Sequence, residues 1–213
     1  MRLKIVAIVP IKNTESSKSR LSFILNQNQR RMLVNFLLDL TIKELNKSSL
    51  ITNILLVSSD KYFKEIYNNK KIDFLTDFNE GVNKAISLAD SYLENQKIDA
   101  SIVIPIDLPL ITSCDVDYFC RMSMEFSKCV IICPSKRLDG TNIMLRKPHN
   151  VITTYYDDNS YQNHFLEAKL YNVPIKPIYR DNLTFDIDTR EDLISLTKIG
   201  NWENILKQLG LFS

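Results

Sequence analysis

The residues of this chain best equipped for chemistry are charged, and they fall into separate groups. Lys12, Lys18 and Arg20 lie within the stretch PIKNTESSKSRL, directly after an apolar run at the N-terminus. Two ammonium groups and a guanidinium can compensate the charge of a triphosphate, and the planar Arg20 can fork across two oxygens. The same spacing also describes a solvated surface loop. Asp107 follows the apolar stretch SIVIPI and precedes Leu108-Pro109. A carboxylate there is poorly solvated on one side and calls for a cation, for backbone donors, or for a helix or turn to cap. Asp186 and Asp188 flank Ile187 in FDIDT. Extended backbone alternates its side chains, so both carboxylates share one face and Ile187 takes the other. Two acids on one face repel unless a cation lies between them, and oxygen-only donors favour Mg²⁺ or Mn²⁺ over zinc. Asp188 or Thr189 can equally cap a helix that follows.

Other chemistries are poorly served. The glycines stand only at positions 81, 140, 200 and 210, so the Gly-x-Gly-x-x-Gly and Walker phosphate loops are both missing and a nucleotide needs another cradle. Cys114, Cys120, Cys129 and Cys133 are not spaced as Cys-x-x-Cys pairs, and His149 and His164 are the only histidines, which leaves little for zinc. The cysteines read as reduced, buried, small hydrophobes. Lys plus Arg number 27 against 25 Asp plus Glu, a formal charge of +2, so any anion site must be local and neither nucleic acid nor an anionic membrane is an expected partner. Pro10 and Lys12 cut the first apolar run well short of a signal core or a membrane span, and a cytoplasmic protein is expected.

The elements that must position these groups follow from apolar patterning. At 213 residues with 45% apolar side chains the chain predicts one compact domain, 1–213, with no need of a disulfide or structural metal. Short apolar runs alternate with segments of helical period, the pattern of an α/β sheet covered by helices. Strands are expected at 3–9, 54–57, 100–106, 130–133 and 142–145, with 100–106 central and 173–179 extended. Helices are expected over 27–46, through Phe63 and Ile66, and over 81–93. A capping box of Thr112 and Asp115 opens another to about 126, Ser160 caps one to 170, and Thr189 caps one through 196. In such a sheet ligands bind outside the carboxyl ends of the strands, which is where the Lys12 to Arg20 loop must lie.

In chain order, a basic loop, a strand-end acid and a late acidic pair resemble the MobA-like nucleotidyltransferases. Within that group the segments VPIKNTESSKSRLS, GVNKAISLA, VIPIDLPLIT, CPSKRLDGTNIMLRKP, NSYQNHFLEA and LTFDIDTREDL resemble the 2-phospho-L-lactate guanylyltransferase family, CofC or FbiD, of deazaflavin coenzyme biosynthesis. The resemblance runs from residue 9 to residue 193. It implies an α/β fold with a mixed, mostly parallel, Rossmann-like sheet, and Mg²⁺-dependent transfer of GMP from GTP to 2-phospho-L-lactate or phosphoenolpyruvate. Lys12, Lys18 and Arg20 would bind the GTP phosphates and, with Asp107, form the catalytic set. Gly81 and Asn83 would lie against the nucleoside. Asp107, Asp186 and Asp188 would hold the metal, and Thr141 and Ser160 would receive the three-carbon acid and its carboxylate. Family members usually carry glycines where this chain has Leu138-Asp139 and Asp157-Asp158-Asn159, so Asp157 adds a carboxylate near the acceptor. His164, four residues after Ser160 on one helix face, reads as a supporting or core residue rather than a proton carrier. Another MobA-like nucleotidyltransferase, a metal-dependent glycosyltransferase and a non-catalytic nucleotide-binding protein are the rival readings, and a homodimer is left open.

Overall fold

The computed structural model describes residues 3–12, 19–67, 70–157 and 159–211. Lys18 lies outside them. The first half of the chain builds β1 (Ile5–Ile11), α1 (Gln27–Lys47), β2 (Ile51–Ser58), α2 (Tyr62–Ile66), β3 (Ile72–Thr76) and α3 (Val82–Leu93). The second half adds β4 (Ala100–Val103), α4 (Ser113–Ser123), β5 (Cys129–Pro134), β6 (Thr141–Lys147), α5 (Ser160–Leu170), β7 (Ile175–Pro177), α6 (Asp181–Thr184), α7 (Arg190–Thr197) and α8 (Trp202–Gln208). The strands form one sheet of seven in the order β3-β2-β1-β4-β6-β5-β7. Every neighbouring pair is parallel except those of β6, which runs antiparallel to both β4 and β5. This is the α/β sheet of the sequence pattern, in the mixed, mostly parallel form that the family resemblance implies.

The continuous apolar character of β1 follows from burial on both faces. Ile5, Ala7, Val9 and Ile11 pack toward Val34, Leu38 and Ile42 of α1 and Val116 and Phe119 of α4. Val6 and Ile8 take the opposite side, against Ala85, Ile86 and Ala89 of α3. A separate cluster joins Leu21, Leu25, Leu33 and Leu37 to Ile187, Leu193, Leu196, Trp202 and Leu206. It fastens the C-terminal helices to the flank of α1, and so fixes where the FDIDT segment runs.

Several expectations need correction. The strand expected over 100–106 ends at Val103, because Pro105 has no N–H to continue the ladder; Ile104 makes one more bond, donating to Ile8 O at 3.0 Å. Thr112 does cap α4, accepting from the Asp115 amide. The Asp115 carboxylate does not return to the Thr112 amide to complete a box; instead it accepts from Arg180 Nε at 2.6 Å and from Asn182. Ser160 is the first residue of α5 rather than its cap, which is Asn159 in the left-handed region at φ 57°. Thr189 caps α7 as expected, in a full box with Asp192. The edge strand β3 and the short helices α6 and α8 carry too brief a pattern to be seen in the sequence. Cys120, Cys129 and Cys133 are buried but Cys114 is exposed. Burial pushes the Cys120 and Cys133 thiols up to about 12 and that of Cys129 to about 11, which keeps them protonated and unreactive.

Among the described residues Arg146 on β6 is the largest fully buried side chain, ahead of Phe63 and Phe119, and has no exposed surface. Its guanidinium grips Asp90 of α3 with two bonds of 2.7 Å and donates also to Ser101 Oγ. This pair ties α3, and with it the α3 N-terminus at the cleft, to the sheet. Asp90→Ala leaves a desolvated cation behind and should destabilise the fold by about 3 kcal/mol in urea unfolding, whereas Arg146→Met with Asp90→Leu should recover most of that loss.

Candidate active site

The chain passes from β1 outward to β2 and β3, then returns to the other side of β1 at β4. The connections leaving the carboxyl ends of β1 and β4 therefore diverge, and the crevice between them is where open α/β sheets bind ligands. Because β6 is antiparallel, its amino end reaches the same edge. A cleft of about 990 Å³ opens there, ample for a nucleotide.

Lys12, just past the end of β1, and Arg20, in the short helical turn Ser19–Leu21, both line this cleft and are exposed. Asp107 lies in the turn after β4. The backbone brings it to the late acids: the Ile187 amide donates to Asp107 O at 3.0 Å. Ile187 is fully buried while Asp186 and Asp188 are half-buried and line the cleft, which is the alternation expected of extended backbone. Thr189, not Asp188, is the helix cap. Asp192 accepts from the amides of Asp188 at 3.0 Å and Thr189 at 2.7 Å, holding the backbone so that the Asp188 carboxylate turns to the cleft. There it sits 3.6 Å from Arg20 Nη1, in an ion pair open to solvent and so weak. Among the described residues no three acidic, His or Cys side chains converge closely enough to cage an ion.

Thr141, at the start of β6, and Ser160, at the start of α5, are buried and line the same cleft. Thr141 Oγ1 is 3.0 Å from His164 Nδ1, and the Tyr155 amide donates to His164 Nε2 at 2.9 Å. Tyr156 packs edge-on against the imidazole with ring centroids 5.2 Å apart. Burial, with the nearby Arg146 guanidinium, pushes the His164 pKa down to about 4, so the ring is neutral at pH 7. This agrees with a supporting rather than a proton-carrying residue.

Gly81 and Asn83 do not line the cleft, although Val82 between them does. Gly81 is the N-cap of α3 at φ 98°, a conformation that favours glycine. Asn83 is committed locally: its carbonyl accepts from the Tyr156 amide at 2.7 Å and its NH₂ donates to Asp157 Oδ2 at 2.9 Å. Asp157 lines the cleft with that bond already made.

Sequence reasoning passed over Lys136 and Arg137, which extend the cleft wall from the loop between β5 and β6. Ser135 shapes this loop, accepting from the Gly140 amide at 3.0 Å and donating to Asp139 at 2.8 Å. A Cβ on Gly140 would meet the Ser135 side chain at 3.3 Å. The signal lay in the segment CPSKRLDGTN, whose basic pair is followed by a tight turn and an antiparallel strand.

The fold, a seven-stranded sheet with a polar cleft at its carboxyl edge, is shared with solved structures. A Desulfovibrio desulfuricans G20 protein provisionally assigned as a nucleotide-diphospho-sugar transferase superposes with a TM-score of 0.76 at 12% identity, covering 97% of this chain and 96% of its own. A CMP:2-keto-3-deoxy-manno-octonic acid synthetase complexed with CTP does so with a TM-score of 0.59 at 11% identity, covering 96% and 99%. At the sequence level residues 5–211 match the family described as "Guanylyl transferase CofC like", and the chain belongs to that family. Among its relatives are a phosphoenolpyruvate guanylyltransferase of Thermobaculum terrenum, 29% identical over 96% of this chain and 90% of the relative. A 2-phospho-L-lactate guanylyltransferase of Methanocaldococcus jannaschii is 31% identical over 98% and 91%. The chain is thus a nucleotidyltransferase enzyme. No helix among the described residues is long and apolar enough to cross a membrane.

The depressed His164 pKa fixes a pH dependence of stability. Between pH 6.5 and about 4 the unfolded chain binds a proton at His164 that the folded chain refuses, so this contribution is complete above pH 6.5 and is lost as pH falls through that window. Urea titrations should show a fall of up to about 3 kcal/mol there, absent from His164→Gln. Carboxylates held low by hydrogen bonds, such as Asp117 and Asp139, lose their contributions only in more acid solution.

Proposed function

We propose that the chain transfers GMP from GTP to 2-phospho-L-lactate or phosphoenolpyruvate, releasing pyrophosphate, as a step in building the deazaflavin coenzyme F-420. Family membership supports the reaction class. The observation that carries the placement is the meeting, in one cleft, of basic residues after β1, acids after β4 and before α7, and neutral hydroxyl donors on β6 and α5.

The reaction joins two polyanions. An oxygen of the acceptor phosphate attacks the α-phosphorus of GTP; a new P–O bond forms, the bond to the β-phosphate oxygen breaks, and pyrophosphate leaves with that electron pair. No general base is needed, because a phosphate monoester with a second pKa near ~6 is already a dianion at neutral pH. Lys12 and Arg20, with Lys18 from the same loop, bind the triphosphate and stabilise the charge that grows on pyrophosphate. Lys136 and Arg137 face the cleft from the other side and screen the approaching acceptor phosphate. Thr141 and Ser160 donate to the acceptor carboxylate.

Asp107, Asp186 and Asp188 would hold Mg²⁺ or Mn²⁺. The donor set fits: it is all oxygen, on one wall of the cleft, and held together through the Ile187 to Asp107 bond. Acids that line a wall without closing into a cage suit Mg²⁺, which keeps waters and completes its shell with substrate phosphates. When bound, such an ion supplies charge neutralisation and alignment of the phosphates. Val82 and the α3 N-terminus form the wall nearest the nucleoside, with Gly81 setting its geometry and Asn83 bracing it.

Pyrophosphate release measured for each NTP against phosphorylated three-carbon acids in Mg²⁺ tests the whole reading. Turnover is expected with GTP and 2-phospho-L-lactate or phosphoenolpyruvate, and its absence with every acid would sink the assignment. Asp188→Asn should reduce kcat by about a hundredfold or more with the fold intact, by the loss of one charge at the metal and of the Arg20 pair. Arg20→Ala or Lys18→Ala should raise the GTP KM and lower kcat together, since the lost cation is missed most as the bond breaks. Unchanged Mg²⁺ dependence in Asp188→Asn would remove the proposed metal site.

A further inference from the structure

His164 has a part that the reaction does not explain by itself. It carries no exposed surface and makes two hydrogen bonds, to the Tyr155 amide through Nε2 and to Thr141 Oγ1 through Nδ1. A backbone N–H can only donate. Nε2 must therefore present its lone pair to Tyr155, and a neutral imidazole must carry its one proton on Nδ1. That proton points at Thr141, so Thr141 Oγ1 is an acceptor in this bond. The hydroxyl's own hydrogen has to point elsewhere, and Thr141 lines the cleft.

We propose that His164 is a positioning residue that fixes Thr141 as a hydrogen-bond donor into the acceptor end of the cleft, selecting for an anionic oxygen there. The inference rests on the placement of the acceptor at Thr141 and Ser160. A freely rotating threonine hydroxyl can donate or accept and spends entropy on choosing; one whose lone pair is taken by an N–H has the choice made beforehand. The imidazole is itself held from several elements. Tyr156 packs edge-on to it from the loop before α5, and the Tyr156 amide is bonded to Asn83 on α3 at 2.7 Å. Burial and, after it, the Arg146 guanidinium of β6, itself paired with Asp90 of α3, keep the ring neutral. Ser160 stands one helical turn before His164 on α5, so the helix that carries the second acceptor donor also carries the residue that orients the first. The bond from Asn83 to Asp157 serves the same end, because it occupies a carboxylate oxygen at the place where an acceptor anion must approach.

Two measurements on the full chain decide the matter. Nitrogen-15 spectra of the imidazoles should show His164 neutral at pH 7 with Nδ1 protonated and Nε2 bare; His149 is the only other histidine, so His164→Gln assigns the signals. An Nε2-protonated or charged His164 at pH 7 would overturn the proposal whatever the substrate. In kinetics, Thr141→Val should raise the acceptor KM about tenfold to a hundredfold, the loss of a donor to a charged oxygen, with the GTP KM within about twofold. His164→Leu should raise the acceptor KM about fivefold or more, and His164→Asn, which can put an amide N–H where Nδ1 stood, should recover most of the loss. The Thr141→Val, His164→Leu double variant should be no worse than Thr141→Val alone. Additive effects, or equal rises in both KM values, would overturn the role of His164 and leave the acceptor site standing. An unchanged acceptor KM in Thr141→Val would overturn the acceptor placement and this inference with it.

Discussion

One backbone hydrogen bond, from the Ile187 amide to the Asp107 carbonyl, sets the geometry on which the rest of the site depends. It closes the distance between a turn after the central strand β4 and a segment near the end of the chain. The bond holds because Ile187 is anchored in an apolar cluster with α1, α7 and α8, and because Asp192 takes up the amides on the other side. With Ile187 pointing inward, Asp186 and Asp188 have only the cleft to face. A polar residue at 187 would remove that anchor and loosen the acidic pair from Asp107, though none of the three acids would itself have changed.

Charge of both signs is brought to the cleft by several elements. Basic side chains come from the loop after β1 and from the turn between β5 and β6, which also carries Asp139; the acids Asp107, Asp186 and Asp188 come from the turn after β4 and the approach to α7. Because β6 is antiparallel, its amino end and the turn before it join the carboxyl edge of the parallel strands, which an all-parallel sheet would have turned away. Basic side chains therefore reach the acids from both sides, and Arg20 already meets Asp188 at 3.6 Å. For the proposed reaction between two phosphate-bearing substrates, this arrangement would screen repulsion on both sides and leave the acids for a hard cation.

The end of the cleft proposed for the acceptor is built differently, around neutral groups whose hydrogen bonds are committed in sequence. Asn83 braces the loop at Tyr156 and Asp157, that loop supplies the Tyr155 amide to His164, and His164 engages Thr141. Beneath them the Arg146 and Asp90 pair locks α3 to β6. At the centre of this chain of hydrogen bonds His164 and Arg146 have no exposed surface, and there an unmade bond costs far more than it does in water. On the proposed reading, charge would collect substrates at one end of the cleft and fixed hydrogen bonds would discriminate at the other.

The sequence by itself determined the local properties: the two-sided burial of β1, the alternation of Asp186, Ile187 and Asp188, the caps at Thr112 and Thr189, and the family through its motifs. Each depends on neighbours within a few residues, which is why patterning reveals it. It also supplied the acids and the basic loop as candidates. Only the tertiary structure decided which groups meet. The end of the central strand at Val103, the diversion of Asp115 to Arg180 and of Asn83 to the Tyr156 loop, and the arrival of Lys136 and Arg137 at the cleft all follow from long-range pairing. The clearest case is His164, whose spacing from Ser160 is visible in the sequence while its role depends on a strand and a loop brought to its two ring nitrogens by the fold. Spacing along a helix fixes a face; the partner of that face is set by the sheet.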